Sequence, residues 1–300
     1  MANLVGCMAM SHGPQLMLSP DHWGLLRLRE SEGLPEKPGP AAETDAVKWS
    51  KWQGCMEAIA RLRSELEALR PDVLVVVGDD QHENLTDDNM PPFSIYLGGE
   101  VEASTSLRYL NQPLSENRVR YRVDAGVARA LLDGLMDAGF DPAYSRQTRY
   151  AGGLGHAFGR VLRFLLPKAD CAIVPVMVNT YYPPAPSARR CLQFGRTLGS
   201  LLRRLPGKER VVVVGSGGLS HTLIDEDLDR RFLRAVERHD LDHMAAIPDS
   251  ALVDGTSEIR NWIVTAGAAG QGGTVVDYLP LYRTRTGVGC AMGFAVWKSR

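Results

Sequence analysis

The stretch that decides the fold is VVVVGSGGLSHTL, residues 211–223. Its four leading valines are β-branched, which is typical of a strand covered on both faces in a parallel sheet. The glycines that follow permit a tight turn with close backbone approaches, and the turn ends at His221. Ligands in open α/β sheets bind at such carboxyl ends of strands. The pattern therefore predicts an α/β protein that presents His221 at its binding edge.

A second apolar run, residues 73–77, has the same design. It is followed by GDDQHEN, residues 78–84, which crowds four acidic or imidazole groups into one turn: Asp79, Asp80, His82 and Glu83. Burying so many polar groups is costly unless a metal or hydrogen bonds compensate them. This turn therefore predicts a functional cluster close to His221.

Strands and helices alternate along the rest of the chain. The apolar spacing predicts further strands over residues 4–8 and 171–178, and helices over residues 44–69, 125–138, 158–166 and 187–205. This order predicts a single-domain α/β sandwich over residues 1–300, with a central mixed sheet flanked by helices.

Composition narrows the function classes. The 300 residues carry a formal net charge of -1, which gives no electrostatic footprint for nucleic acid or an anionic membrane. Neither a signal peptide nor an apolar run of about 18 residues is evident, so the sequence predicts a cytoplasmic protein without a membrane partner. The five cysteines are widely spaced without a Cys-x-x-Cys pair, which favours packing residues over disulfides or structural zinc.

Two more histidines and one acid are candidates. His12 lies in the loop SHGP after the first strand, where it either points into a cleft or bonds a backbone carbonyl. His156 follows GGLG and opens a helix, whose positive end would lower its pKa; a simple cap-region role is the alternative. Thr256 or Ser257 is expected to cap a helix whose first turn contains Glu258.

The remaining histidines favour structural roles. His239 and His243 are spaced to share a helix face, but Asp240 occupies the position where a zincin has glutamate, so a solvated face is favoured. His22 is expected at the surface.

Six segments in this order resemble one family. They are SHGP (11–14), VLVVVGDDQHE (73–83), GLGH (153–156), GSGGLSH (215–221), GTSEIRNW (255–262) and GVGCAMGFA (287–295). Together they resemble the class III extradiol ring-cleavage dioxygenases, the superfamily of the protocatechuate 4,5-dioxygenase catalytic subunit and the gallate dioxygenases. The resemblance covers nearly the whole chain.

The resemblance implies a non-haem Fe(II) ion held by two histidines and one carboxylate, the set expected of Fe(II) oxygenases. His12 and Glu258 match two of these ligands. Gln81 stands in strict register with the third, and His82 lies one place later. We assign His82 because imidazole binds Fe(II) better than a carboxamide, with Gln81 or Glu83 as alternatives.

The same resemblance makes His221 the acid/base and His156 a second catalytic histidine. It implies O2 and a small aromatic diol as partners, and the chain length favours a homo-oligomer. Catechols, gallate-like triols, aminophenols and hydroxypyridones all remain open as substrates. Candidate pocket groups are Asn179, Tyr181, Tyr182, Arg283 and Arg285.

Two other functions fit the same residues. One is a zinc-dependent hydrolase that activates water on the same histidines and glutamate. The other is a non-enzymatic metal or redox binding protein, since the superfamily includes Memo-like proteins. Retention of His221 argues against the second.

Overall fold

The computed structural model describes residues 3–26, 33–107 and 110–298. Its strands are β1 (Leu4–Met10), β2 (Val73–Gly78), β3 (Phe93–Tyr96), β4 (Glu100–Ser104), β5 (Arg118–Arg122), β6 (Ala143–Ser145), β7 (Ala172–Val178), β8 (Val211–Ser216), β9 (His221–Leu223), β10 (Thr274–Tyr282) and β11 (Val288–Lys298). Its α-helices are α1 (Pro38–Ala41), α2 (Asp45–Leu69), α3 (Ala125–Asp137), α4 (His156–Leu165), α5 (Ala188–Arg203), α6 (Glu226–Arg238), α7 (Leu241–Ala245) and α8 (Ile259–Ala269).

One mixed sheet organises these elements. Its strand order is β10-β11-β1-β8-β2-β7-β3-β6, with β9 paired to β11, while β4 and β5 form a separate hairpin. The four central strands β1, β8, β2 and β7 are parallel. The flanking strands β11 and β3 run antiparallel to this centre. The predicted α/β fold with a central mixed sheet is confirmed.

The sheet separates two hydrophobic cores. In β2, Val73, Val75 and Val77 point into one core, and Leu74 and Val76 point into the other. Helices α2 and α4 bury their apolar side chains in the second core, whereas α3, α5, α6 and α8 fill the first. The valine runs are apolar throughout because both faces of the sheet are covered.

The predicted elements agree with the structure to within about two residues at most ends, the usual uncertainty of helix and strand boundaries. Thr44 caps α2 by accepting a hydrogen bond from the Val47 N–H. All five cysteines are free and buried, as expected for packing residues. The described helices include none long and apolar enough to cross a membrane.

The expected start of α8 is wrong in detail. Residues Asp254–Glu258 form a 3₁₀ helix, and α8 begins at Ile259 without a side-chain cap. The Thr256 hydroxyl bonds the His221 backbone instead of the helix end. A competing tertiary partner therefore replaces the local cap.

Helices α5 and α8 approach each other closely through two glycines of α5. A Cβ on Gly195 would lie 2.1 Å from the Val264 carbonyl oxygen, and one on Gly199 would lie 2.3 Å from that of Ala268. Backbone atoms inside a helix cannot move aside easily. These glycines therefore fix how α8, which carries Glu258 at its start, lies against the sheet.

Gly199→Ala should destabilise the protein. The helix would have to separate from α8, and overpacking of this kind costs about 1–3 kcal/mol, more than the roughly 1 kcal/mol that alanine gains in helix propensity. Urea unfolding measures the change in free energy. Gly39→Ala is the control, because a Cβ there meets nothing within 4 Å. Equal stability of both variants would contradict close α5–α8 packing.

Candidate active site

Three neighbouring parallel strands end at one edge of the sheet. His12 lies two residues beyond β1, Asp79 directly follows β2, and the glycine turn to His221 follows β8, which lies between them. Glu258 enters from the start of α8, which packs against all three strands. The sheet order therefore gathers side chains from distant parts of the sequence.

His12, Asp79 and Glu258 form the centre of this group. One possible ligand atom from each residue lies within 4.8 Å of the other two, and all three residues are buried. Burial, together with the nearby Glu258 carboxylate, raises the pKa of Asp79 well above its ordinary range. Two carboxylates and an imidazole are donors suited to a divalent cation, whose charge would offset the cost of burying them.

The tautomer of His12 follows from its neighbours. The Ser216 hydroxyl donates its proton to the Ala157 carbonyl, so it can only accept from His12 Nδ1, which lies 2.9 Å away. Nε2 is then unprotonated and faces Glu258 Oε2 at 3.6 Å. Burial lowers the pKa of His12 to about 3 despite the nearby Glu258. The ring is therefore neutral and already in the form that binds a metal.

The Glu258 carboxylate contacts both the glycine turn after β8 and the two histidines His12 and His221. Its Oε2 accepts the Gly218 N–H at 2.7 Å, and its Oε1 lies 3.3 Å from His221 Nε2. Burial alone would raise the pKa of Glu258, but His221, His12 and the Gly218 N–H together lower it to about 2. Glu258 is therefore a carboxylate at neutral pH.

His221 is held by its other ring nitrogen. Nδ1 donates to the Leu219 carbonyl at 2.9 Å, which leaves Nε2 facing the site. Burial would lower the pKa of His221, but the Glu258 carboxylate outweighs it and raises that pKa. The side chain retains 18% of its exposure, so a ligand can reach it. A raised pKa and a partly accessible ring suit His221 to exchange a proton with a bound ligand.

His156 begins α4 beside the ring of His12. Its backbone N–H and its Nδ1 both contact the buried Glu83 carboxylate, at 3.0 Å from Oε1 in each case. The His156 and His12 rings meet edge to face with centroids 5.1 Å apart. Glu83 thus orients His156 and leaves Nε2 available to a ligand.

The sequence model of a family described as "Catalytic LigB subunit of aromatic ring-opening dioxygenase" matches residues 41–293. The chain belongs to the LigB family. The resemblance to class III extradiol dioxygenases is thereby confirmed.

Curated relatives of this LigB-family chain carry a consistent name. It is 34% identical over 166 residues to the 2,3-dihydroxyphenylpropionate/2,3-dihydroxicinnamic acid 1,2-dioxygenase 2 of Pseudomonas putida, covering 55% of this chain and 48% of that protein. It is 32% identical over 185 residues to the corresponding 1,2-dioxygenase of Comamonas testosteroni, covering 61% and 51%. The chain thus spans about half the length of these relatives.

A solved structure has a similar fold. An uncharacterized protein from Escherichia coli K12 superposes with a TM-score of 0.56 over 97% of this chain and 99% of that chain, at 16% identity. At this identity the likeness shows only that the two chains share a fold.

His82 lies apart from the convergent ligand atoms. Its backbone has a positive φ of 57°, and its ring stacks on Tyr182 with centroids 3.7 Å apart. Its Nε2 pairs with the exposed Asp87 at 3.1 Å. Gln81, the residue in register with the family ligand, instead reaches Glu258 Oε1 at 3.2 Å. The structure thus brings together His12, Glu258, His221 and His156, and leaves His82 outside.

The other candidates have varied surroundings. The side-chain amide of Asn179 holds the backbone of Tyr182, and exposed Arg285 pairs with Glu36. Burial, followed by the carboxylates of Glu258 and Asp79, raises the pKa of Tyr181, which places that phenol near the site. Arg283 directly follows β10, and its backbone N–H donates to Val288. His239 ends α6, and His243 lies exposed in α7.

Three groups in this LigB-family site have roles that no sequence pattern predicted. Ser216 sets the His12 tautomer, and Asn261 donates to both Asp79 Oδ1 and the Ser216 carbonyl. Asp229 accepts hydrogen bonds from the N–H and the hydroxyl of Ser220, the residue before His221, and from the Tyr278 hydroxyl. Only the position of Ser216 at the end of the valine strand could have indicated its role.

Gly255→Ala should displace His221 while leaving the fold intact. An added Cβ would lie 1.9 Å from His221 Cδ2, so the ring must rotate away from Glu258. A misplacement of about 1 Å can cost roughly 100-fold in rate. We expect unchanged circular dichroism and a shifted His221 imidazole NMR resonance. Gly99→Ala, where a Cβ meets nothing within 4 Å, is the control. An unshifted His221 resonance would refute this packing.

Asp229 should make stability depend on pH. Burial raises its pKa to about 6, so its folded form holds a proton more tightly than the unfolded chain does. Its contribution to the free energy of unfolding is full below pH 4 and is lost as the pH rises through 6, by about 3 kcal/mol at most. Subtracting the free energy of unfolding of Asp229→Asn from that of the wild type removes the pH dependence that other groups contribute. Urea unfolding at pH 4 and pH 7 should show the wild-type advantage shrinking; a constant difference would contradict the shift.

Proposed function

We propose that this protein is an Fe(II)-dependent dioxygenase that opens the ring of an aromatic diol beside its two vicinal hydroxyls. The observation that carries the proposal is that His12 and Glu258 converge with Asp79 beside the partly accessible ring of His221. Membership in a family of aromatic ring-opening dioxygenases supports the same chemistry. Both atoms of O2 would enter the product, a coloured semialdehyde.

The named relatives suggest the substrates to test first. Their names are those of 1,2-dioxygenases of 2,3-dihydroxyphenylpropionate and 2,3-dihydroxicinnamic acid. Both compounds are vicinal diols with a carboxylated side chain. We infer a substrate of this class, an aromatic ring with adjacent hydroxyls.

His12 and Glu258 would hold the iron. His12 presents a neutral Nε2, and Glu258 presents a carboxylate, so neither has to lose a proton at neutral pH. Bound Fe(II) would supply the binding positions for the diol and O2 and the electron transfer between them.

His221 would move the proton of a substrate hydroxyl. Its Nδ1 is committed to the Leu219 carbonyl, so Nε2 is the nitrogen that accepts the proton and returns it as the ring opens. Glu258 stabilises the imidazolium that forms, because its Oε1 lies 3.3 Å from Nε2. Between turnovers the hydrogen bond from Nδ1 to the Leu219 carbonyl keeps the ring oriented.

His156, beside the ring of His12, would help to position the bound substrate or oxygen. Its Nδ1 is fixed on Glu83, so Nε2 can hydrogen-bond the substrate or oxygen. A pre-oriented donor of this kind stabilises charge that develops during reaction. Tyr181, near both buried carboxylates, is a further group for orienting the ring.

We infer that residues 1–300 act as one catalytic domain. The site takes His12 from near one end and Glu258 from the other, and β11 pairs with β1 beside it. The homo-oligomer and the cytoplasmic location stay predictions from the sequence.

O2 uptake by anaerobically Fe(II)-loaded protein is the direct test. We expect uptake with a yellow product for 2,3-dihydroxyphenylpropionate or another member of a panel of catechols, gallate, aminophenols and hydroxypyridones. Bound iron without uptake on any vicinal diol would overturn the proposal. Hydrolytic activity with zinc would favour the hydrolase instead.

Two substitutions separate proton transfer from metal binding. His221→Ala should lower turnover by about 100- to 10,000-fold and leave iron bound, because it removes the acid/base group only. Glu258→Ala should lose the metal, measured by metal analysis after gel filtration. His243→Ala, an exposed histidine of α7, is the matched control and should keep both. Full activity of His221→Ala would contradict the acid/base role.

A further inference from the structure

The turn after β2 presents a buried carboxylate to the metal group where the family pattern has a second histidine. Asp79 is fully buried and contributes to the convergent group with His12 and Glu258. His82, three residues further along the turn, stacks on Tyr182 and pairs with exposed Asp87. The nitrogen that the family pattern predicts is therefore replaced by an oxygen.

Neutral amides hold Asp79 in place. Gln81 Nε2 lies 3.3 Å from Asp79 Oδ2 and 3.2 Å from Glu258 Oε1, so one amide bridges both carboxylates. Asn261 Nδ2 lies 3.3 Å from Asp79 Oδ1 and is anchored 2.8 Å from the Ser216 carbonyl. Partners of this kind orient metal ligands.

The charge of this arrangement calls for a cation. Among the described residues, the side-chain hydrogen-bond partners of Asp79 are the uncharged Gln81 and Asn261. A second buried carboxylate, Glu258, lies beside it. Glu258 already has His221 as a partner that can carry a positive charge, so a metal ion would chiefly offset the cost of burying the Asp79 carboxylate.

We propose that Asp79 is the third metal ligand, so that His12, Asp79 and Glu258 form a one-histidine, two-carboxylate site. Gln81 and Asn261 are positioning residues that aim the Asp79 carboxylate. The proposal rests on the proposed function only in using the same metal position.

The substitution changes the metal preference. Carboxylates suit Mn²⁺ and Mg²⁺, whereas imidazoles suit Zn²⁺ and Fe²⁺. The donors carry two negative charges instead of the one expected for two histidines and a carboxylate. We therefore expect a stronger preference for Mn(II) relative to Zn(II) than a two-histidine site would have.

Mn(II) binding to the full chain tests the ligand directly, without turnover. Free Mn(II) gives a six-line EPR signal that weakens on binding, so titration yields a dissociation constant. Asp79→Asn, which keeps the shape and removes the charge, should weaken binding at least about 100-fold, since even outer partners cost 10- to 100-fold. His82→Ala and Asp87→Asn are controls from the same turn and should change it less than about threefold.

A gain-of-ligand variant keeps the test decisive if Asp79→Asn folds poorly. Gln81→His places an imidazole where the present amide faces both carboxylates. It should raise Zn(II) affinity at least tenfold, and in combination with Asp79→Asn it should restore metal binding. Thermal unfolding of each metal-free variant separates lost ligands from lost folding.

The outcomes distinguish this inference from the proposed function. Retained binding in Asp79→Asn together with lost binding in His82→Ala overturns the inference and leaves the dioxygenase proposal intact. Binding that depends on Asp79 but no O2 uptake on any diol supports the inference and overturns the function. Failure of the wild-type chain to bind Mn(II) overturns the one-histidine, two-carboxylate site.

Discussion

The buried carboxylate of Glu258 is the interaction on which the site depends. It accepts the Gly218 N–H, lies against His12 and His221, and meets the amide of Gln81. These contacts join the carboxyl ends of β1, β8 and β2 to the start of α8. Because Glu258 is buried, its carboxylate oxygens need hydrogen-bond or charged partners within the protein. This requirement leaves little freedom in how α8 is placed. The glycines of α5 fix the same helix from its other side.

Hydrogen bonds outside the metal group decide which ring nitrogens are free. The Ser216 hydroxyl accepts a hydrogen bond from Nδ1 of His12, and the Leu219 carbonyl accepts one from Nδ1 of His221. The Glu83 carboxylate contacts Nδ1 of His156. In His12 and His156 this leaves Nε2 for a ligand or substrate, and in His221 it leaves Nε2 facing Glu258 Oε1 at 3.3 Å. Three histidines with the same tautomeric arrangement form a site prepared for a metal and for proton transfer.

In the proposed metal site, the turn after β2 changes one ligand while the scaffold persists. Gln81 keeps the register of a family ligand but offers an amide, and Asp79 contributes a carboxylate oxygen to the convergent group. A carboxylate raises the negative charge that surrounds the metal position. The proposed change of ligand therefore alters electrostatics more than shape, and it affects the choice of metal first.

The sequence by itself indicated the four central strands, the helices α2 to α5 and four candidate site residues, because their signals are local. Valine runs, glycine turns and the helical spacing of apolar residues depend on neighbours within a few positions. His12, His156, His221 and Glu258 each follow such a signal. Only the tertiary structure decided that Asp79, Gln81 and Glu83 of the following turn reach them and that His82 does not. A one-residue shift in a turn redirects a side chain, and here the positive φ of His82 and its stacking on Tyr182 turn it away. Asp79, Ser216 and Asn261 acquire their roles from partners as far as 204 residues away, and no local pattern encodes those distances.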